Sequence, residues 1–97
     1  MTNFNELINL NESIITTYKQ KELILLKPYL YVGPITMQYL PYGGIQSVFN
    51  YHLIINTVNG FVTADELIYN NKKITSKEFI ELNPNLVNEI LPNWIYW

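Results

Sequence analysis

Apolar side chains recur along the first stretch of the chain at Phe4, Leu7, Ile8, Ile14, Ile15 and Tyr18, close to a helical stripe interrupted at Asn11. Asn3 can cap a helix there, with Glu6 three positions on. The pattern predicts a helix that starts near Phe4 and reaches at least Leu10. Beyond it, Ile14-Ile15-Thr16-Thr17 is a β-branched run that loses rotamer freedom in a helix and suits a strand as well. Residues 11–18 therefore read either way.

From Glu22 to Phe61 the texture changes to β-prone runs: Leu23 to Leu26, Tyr29 to Val32, Ile35 to Leu40 and Ile45 to Thr57. Lys27-Pro28, Gly33-Pro34, Pro41-Tyr42-Gly43-Gly44 and Asn59-Gly60 punctuate them. Asn-Gly is the pair that best tolerates the positive φ angles of a tight hairpin, and connections this short allow only antiparallel pairing.

Two capping boxes follow, Thr63-Ala64-Asp65-Glu66 and Thr75-Ser76-Lys77-Glu78. In each, the Thr hydroxyl can accept from the Glu backbone N–H while the carboxylate reaches back to the Thr N–H. Val62 with Leu67, and Ile74 with Phe79, add a hydrophobic staple to each box. Short helices over about 64–69 and 76–82 follow. Asn83-Pro84 offers a cap and a first-turn proline for a third, running to about Leu91, where Pro92 discourages continuation. The tail Trp94-Ile95-Tyr96-Trp97 suits a final strand. The expectation is an α+β fold: an antiparallel sheet of roughly four or five strands, one face covered by an N-terminal helix and short C-terminal helices.

The length of 97 residues allows one core and one domain, spanning 1–97. A hydrophobic fraction of 48% is enough to offset backbone ordering, which argues against intrinsic disorder. Charged residues make up only 14%, with six lysines and no arginine, and Ala64 is the only alanine; Asn and Ile dominate, as AT-rich codon usage would produce. The net charge of -2 creates no field that attracts nucleic acid. The absence of cysteine removes thiol chemistry and disulfides, pointing to the cytoplasm, of the host if the gene is viral. No leader pattern and no segment of roughly 20 apolar residues appear, so the chain reads as complete and without a membrane partner.

The side chains available for chemistry are few. His52 is the only histidine and Asp65 the only aspartate, so neither a nucleophile–base pair nor a zinc or calcium ligand set is legible, and no metal or cofactor is expected. His52 reads as a hydrogen-bonded structural residue on one face of a strand. Asp65, Glu66, Glu78 and Glu81 read as complements to helix dipoles. Gly43-Gly44 leads into a strand and reads as a turn, not as a phosphate cradle.

Aromatic rings remain. Tyr29, Tyr31 and Trp94 read as core fillers, whereas Tyr42 at a turn tip and Trp97 at the chain end should face solvent, where a partner could cover them. The candidate interface is therefore Tyr39, Tyr42, His52, Tyr96 and Trp97. Three functions are compatible. The first is a non-enzymatic binding protein, a homodimer or a phage or mobile-element accessory that inhibits a host protein. The second sequesters a nucleotide-like or other aromatic ligand in an aromatic-lined pocket. The third is a helix-turn-helix-like DNA reader built from the two capped helices, a reading weakened by the lack of a basic face.

Overall fold

The computed structural model describes Phe4, Leu10 and residues 12–35 and 40–92, with the side chains of Ser47 and Phe49 left out. Among the described residues, eight strands and one helix succeed one another: β1 (Ile14–Tyr18), β2 (Lys21–Leu26), β3 (Tyr29–Leu30), β4 (Ile45–Phe49), β5 (His52–Thr57), β6 (Gly60–Thr63), β7 (Glu66–Tyr69), β8 (Lys72–Thr75) and α1 (Ser76–Leu82). They form two antiparallel four-stranded sheets, ordered β1-β2-β7-β8 and β3-β6-β5-β4.

One long antiparallel ribbon runs through both sheets. Its first half pairs β2 with β7, ending at Leu26 opposite Glu66; its second pairs β3 with β6, starting at Tyr29 opposite Thr63. The step is three residues on each side, so the ladder resumes in register across the break. The break falls at Lys27-Pro28, where Lys27 takes a left-handed φ of 46° and Pro28 can donate no hydrogen bond. Each half of the ribbon then recruits flanking strands, β1 and β8 to the first sheet, β5 and β4 to the second.

Four hairpins set the registers. Lys19-Gln20, Asn50-Tyr51 and Asn70-Asn71 each place two successive residues at φ between 50° and 67°, the backbone of a type I′ turn, and asparagine tolerates that region better than most residues. The expected Asn59-Gly60 turn joins β5 to β6; Gly60 sits at φ 109°, and the Thr57 hydroxyl donates to the Gly60 carbonyl at 2.8 Å. The run Ile45 to Thr57, read as one β-prone segment, is split by Asn50-Tyr51 into β4 and β5.

The alternation of buried positions in β1 and β2 turns Ile14, Thr16 and Tyr18, and Leu23 and Leu25, toward one core. There they meet Ile45, Leu53, Ile55 and Val62 of the second sheet. Both sheets thus share a single apolar interior, closed by Phe4, Phe79, Leu86 and Leu91. Phe79 of α1 is fully buried, edge-on to the rings of Tyr18 at 5.5 Å and Tyr69 at 5.1 Å. Tyr18 carries a raised phenol pKa, from burial first and the negative charge of Glu89 second.

The expected α+β fold is corrected to a mostly β architecture, with a single short helix among the described residues. No N-terminal helix is present among the described residues: Phe4 and Leu10 lie in turns, 5–9 fall outside the described residues, and the ambiguous stretch 14–18 is β1. The second capping box forms as read. Thr75 accepts from the Glu78 N–H at 3.1 Å and the Glu78 carboxylate accepts from the Thr75 N–H at 3.2 Å. The first box does not form, because Thr63 ends β6 and Glu66 begins β7. Pairing on both sides, with β2 and β8, satisfies the backbone of 66–69, whereas four residues before Asn70-Asn71 would give barely one helical turn. Nor does the third helix exist: Asn83 caps the end of α1, its N–H donating to the Ile80 carbonyl, and 84–91 run in turns to a bridge between Ile90 and Gly44. The expected strands over Ile35 to Leu40 and at Trp94 to Trp97 fall largely and wholly, respectively, outside the described residues. No helix among the described residues is long and apolar enough to cross a membrane.

Thr63 is a direct witness to this correction. Its side chain is fully buried and its hydroxyl has no hydrogen-bond partner among the described residues, which a capping threonine would have. Thr63→Val should therefore stabilise the protein by about 1 kcal/mol, since it removes a desolvated hydroxyl at nearly constant shape. Thr75→Ala should destabilise it by about 1 kcal/mol through loss of the cap. Paired urea denaturation curves check both signs; two caps would make both changes destabilising.

Candidate functional site

The bend in the ribbon brings together side chains from three elements and a loop. Tyr29 and Tyr31 alternate onto one side of β3 and its extension, as their spacing suggests, but Tyr29 lies at the surface. Its hydroxyl donates to Asp65 Oδ1 at 2.6 Å. Asp65 occupies the connection between β6 and β7, opposite Lys27-Pro28, and its Oδ1 also lies 3.9 Å from His52 Nε2. His52 opens β5 immediately after the Asn50-Tyr51 turn, and its Nδ1–H donates to the Asn50 carbonyl at 3.0 Å. That bond leaves Nε2 directed toward the carboxylate. The Tyr31 ring sits 6.0 Å from the imidazole, its hydroxyl donating to the Pro34 carbonyl. Lys77 of α1 lies over the ring of Tyr51 at 5.1 Å.

Beside this cluster the bend opens a groove of about 390 Å³, lined by Ser13, Leu26, Lys27, Tyr29, Asp65, Glu66 and Lys73. Lys73 and Glu66 pair across β8 and β7 at 3.7 Å, both half-exposed, so the pair contributes little stability. The Tyr29 phenol is pushed up to about 12, first by burial, then by its hydrogen bond to Asp65 and repulsion from that carboxylate. Because the folded pKa exceeds its ordinary 10, this contribution to stability is complete below pH 10 and declines as pH rises toward 12. A tyrosinate absorbance titration should show a late component that Asp65→Asn shifts partway toward 10, because the charge repulsion goes and a neutral amide oxygen holds the phenol proton less strongly. A curve unchanged by that substitution would contradict the assigned causes.

The strand edges differ in how they are protected. Thr16 of β1 is buried and its hydroxyl donates to the Pro92 carbonyl, so the end of the described chain lies against that strand. The edge strand β4 is met by the 88–91 segment: Ile45 N–H donates to Glu89 O at 2.8 Å and Asn88 N–H to Ile45 O at 2.9 Å. The edge strand β8 carries exposed Lys72 and Lys73, which repel a like edge. Along the edge strand β3 no described segment and no lysine plays such a part. Tyr31 N–H donates to Phe61 O at 2.8 Å, and by the alternation of an antiparallel ladder Leu30 and Val32 direct their own N–H and C=O groups away from β6. No described strand lies on that side. Leu30 is 48% and Val32 93% exposed.

Charge deepens the contrast. Between Lys27 and Asp65 the chain contains no Asp, Glu, Lys or Arg, and that interval holds all of β3, β4, β5 and β6. The second sheet therefore carries no Asp, Glu, Lys or Arg.

Of the residues expected to form an interface, His52 joins the Asp65 cluster, where it is half-buried and hydrogen-bonded to the Asn50 carbonyl. Tyr42 lies elsewhere, 42% exposed on the Pro41–Gly44 turn, where Gly44 N–H donates to Pro41 O at 3.0 Å. Tyr39, Tyr96 and Trp97 fall outside the described residues, as does Trp94. Leu30, Val32 and Asp65 were missed as surface features. The signal that could have found the first two is the long uncharged interval; Asp65 was hidden by its false reading as a first-turn helix residue. The helix-turn-helix reading loses its basis, because its first helix is β7. Among the described residues, no three His, Cys, Asp or Glu side chains gather in a metal-binding group. Comparison with family models, with curated proteins and with solved structures gives no match.

Proposed function

We propose that this chain is a non-enzymatic protein-interaction domain that binds an extended partner segment along the outer edge of β3. The observation that carries the reading is the combination of outward-facing backbone groups with exposed Leu30 and Val32 on an uncharged sheet. An added strand would satisfy those amides and carbonyls while its alternate side chains pack against Leu30 and Val32. The cluster of Tyr29, Asp65 and His52 at the head of the strand supplies polar groups that set orientation.

Selection from a library of displayed linear peptides tests this. Peptides with alternating apolar residues should be recovered, and Leu30→Lys with Val32→Lys should weaken their binding at least tenfold while circular dichroism stays unchanged. Binders that ignore the double substitution, or that are lost only on replacing Tyr42, would contradict it.

A second reading, sequestration of a small aromatic ligand such as a nucleotide, is favoured by the groove at the bend, where Tyr29 offers a ring. A ligand-dependent rise in melting temperature that disappears in Tyr29→Ala would support it.

A further inference from the structure

We infer that the strand β3 receives is β3 of a second copy, paired antiparallel about a two-fold axis at Tyr31; this rests on the edge reading above and names its partner. Three observations select the occupant. A two-fold axis brings like charges near it close to their own copies, so a charged edge repels itself; β8 would set lysine near lysine, whereas β3 carries no Asp, Glu, Lys or Arg. The outward backbone groups are those of Leu30 and Val32, so setting Leu30 opposite Val32 of the other copy makes both ends of the short edge complementary, with four N–H···O=C bonds. The apolar side chains exposed there, Leu30 and Val32, then cover each other across the axis.

The register is specific. Centring the pair on Leu30 would need the backbone of Pro28, which is buried, and centring it on Val32 would need Pro34, whose carbonyl already accepts from the Tyr31 hydroxyl and which has no N–H. Centring on Tyr31 needs neither. Tyr31 then faces its own copy at a non-hydrogen-bonded position, where Cα atoms lie about 4.5 Å apart.

The chain has no cysteine, so a single introduced one can form a disulfide only between copies. With oxidised glutathione, Tyr31→Cys should link into a covalent dimer, since its Cα separation falls in the range a disulfide spans, roughly 4.4–6.8 Å. Leu30→Cys and Val32→Cys should link at least tenfold more slowly, because each lies diagonal to its own copy, roughly 7–8 Å away. Independently of any cysteine, sedimentation equilibrium of the unmodified protein should show a monomer–dimer equilibrium. Its dissociation constant should change less than twofold on raising salt, because the paired strands themselves carry no Asp, Glu, Lys or Arg to screen, and should rise at least tenfold in Leu30→Lys. A protein monomeric at all accessible concentrations, or one that links preferentially through position 30 or 32, overturns the inference. If peptide selection still succeeds on a strictly monomeric protein, the edge reading stands and the self-pairing alone fails.

Discussion

Replacing Phe79 by alanine is expected to cost about 3–5 kcal/mol, a large share of the roughly 5–15 kcal/mol that holds a small domain together. The ring is fully buried and packs edge-on against Tyr18 of β1 and Tyr69 of β7. Removing it takes away the hydrophobic gain of the side chain and both ring contacts, and leaves a cavity under the only helix among the described residues. The Thr75 cap fixes where α1 begins and therefore where Phe79 points, so sequence, local structure and packing converge on one side chain. A urea midpoint shifted by less than the equivalent of about 1 kcal/mol would show that α1 does not plug the core.

Gly43→Ala is the second large effect, and it acts through the backbone. Gly43 adopts φ +95°, and a β-carbon there would lie 2.2 Å from the Leu91 carbonyl oxygen. That carbonyl cannot move freely, because Leu91 N–H donates to Gly43 O at 2.8 Å and Gly43 N–H donates to Asn56 O at 2.7 Å. The substitution must therefore either strain the turn or detach the 88–91 segment from β4, at a cost on the order of 3 kcal/mol. Gly60 is the internal control. It sits at φ +109° with open space around it, so Gly60→Ala should show conformational strain alone, about 1–2 kcal/mol. Equal losses at the two positions in thermal or urea unfolding would mean that the turn and the C-terminal segment are not locked together.

Much of the sheet was legible. Turn chemistry at Asn59-Gly60 and the β-prone runs at Leu23 to Leu26 and Ile45 to Thr57 announce strands, because those local preferences agree with the final pairing. The box at Thr75 was legible for the same reason. Its twin at Thr63 shows where local reading stops: the motif is identical in kind, but β2 and β8 offer ladders to residues 66–69 that no sequence window contains. The turns at Lys19-Gln20 and Asn50-Tyr51 were opaque because lysine, glutamine and tyrosine rarely adopt left-handed backbone, and only tertiary pairing holds them there. As for the site, aromatic content pointed to Tyr42 and the chain end, whereas the fold exposes aliphatic Leu30 and Val32. Edge status is a property of strand order, which a one-dimensional pattern does not carry.

Residue-resolved amide hydrogen exchange, recorded on a dilute monomer, tests the bent ribbon and its open edge together. The Tyr31 amide, bonded to Phe61, should exchange slowly, while the flanking Leu30 and Val32 amides exchange fast and become protected only as concentration rises. Uniformly slow exchange at all three positions in the monomer would mean that the chain itself covers this edge and leaves no strand to offer a partner.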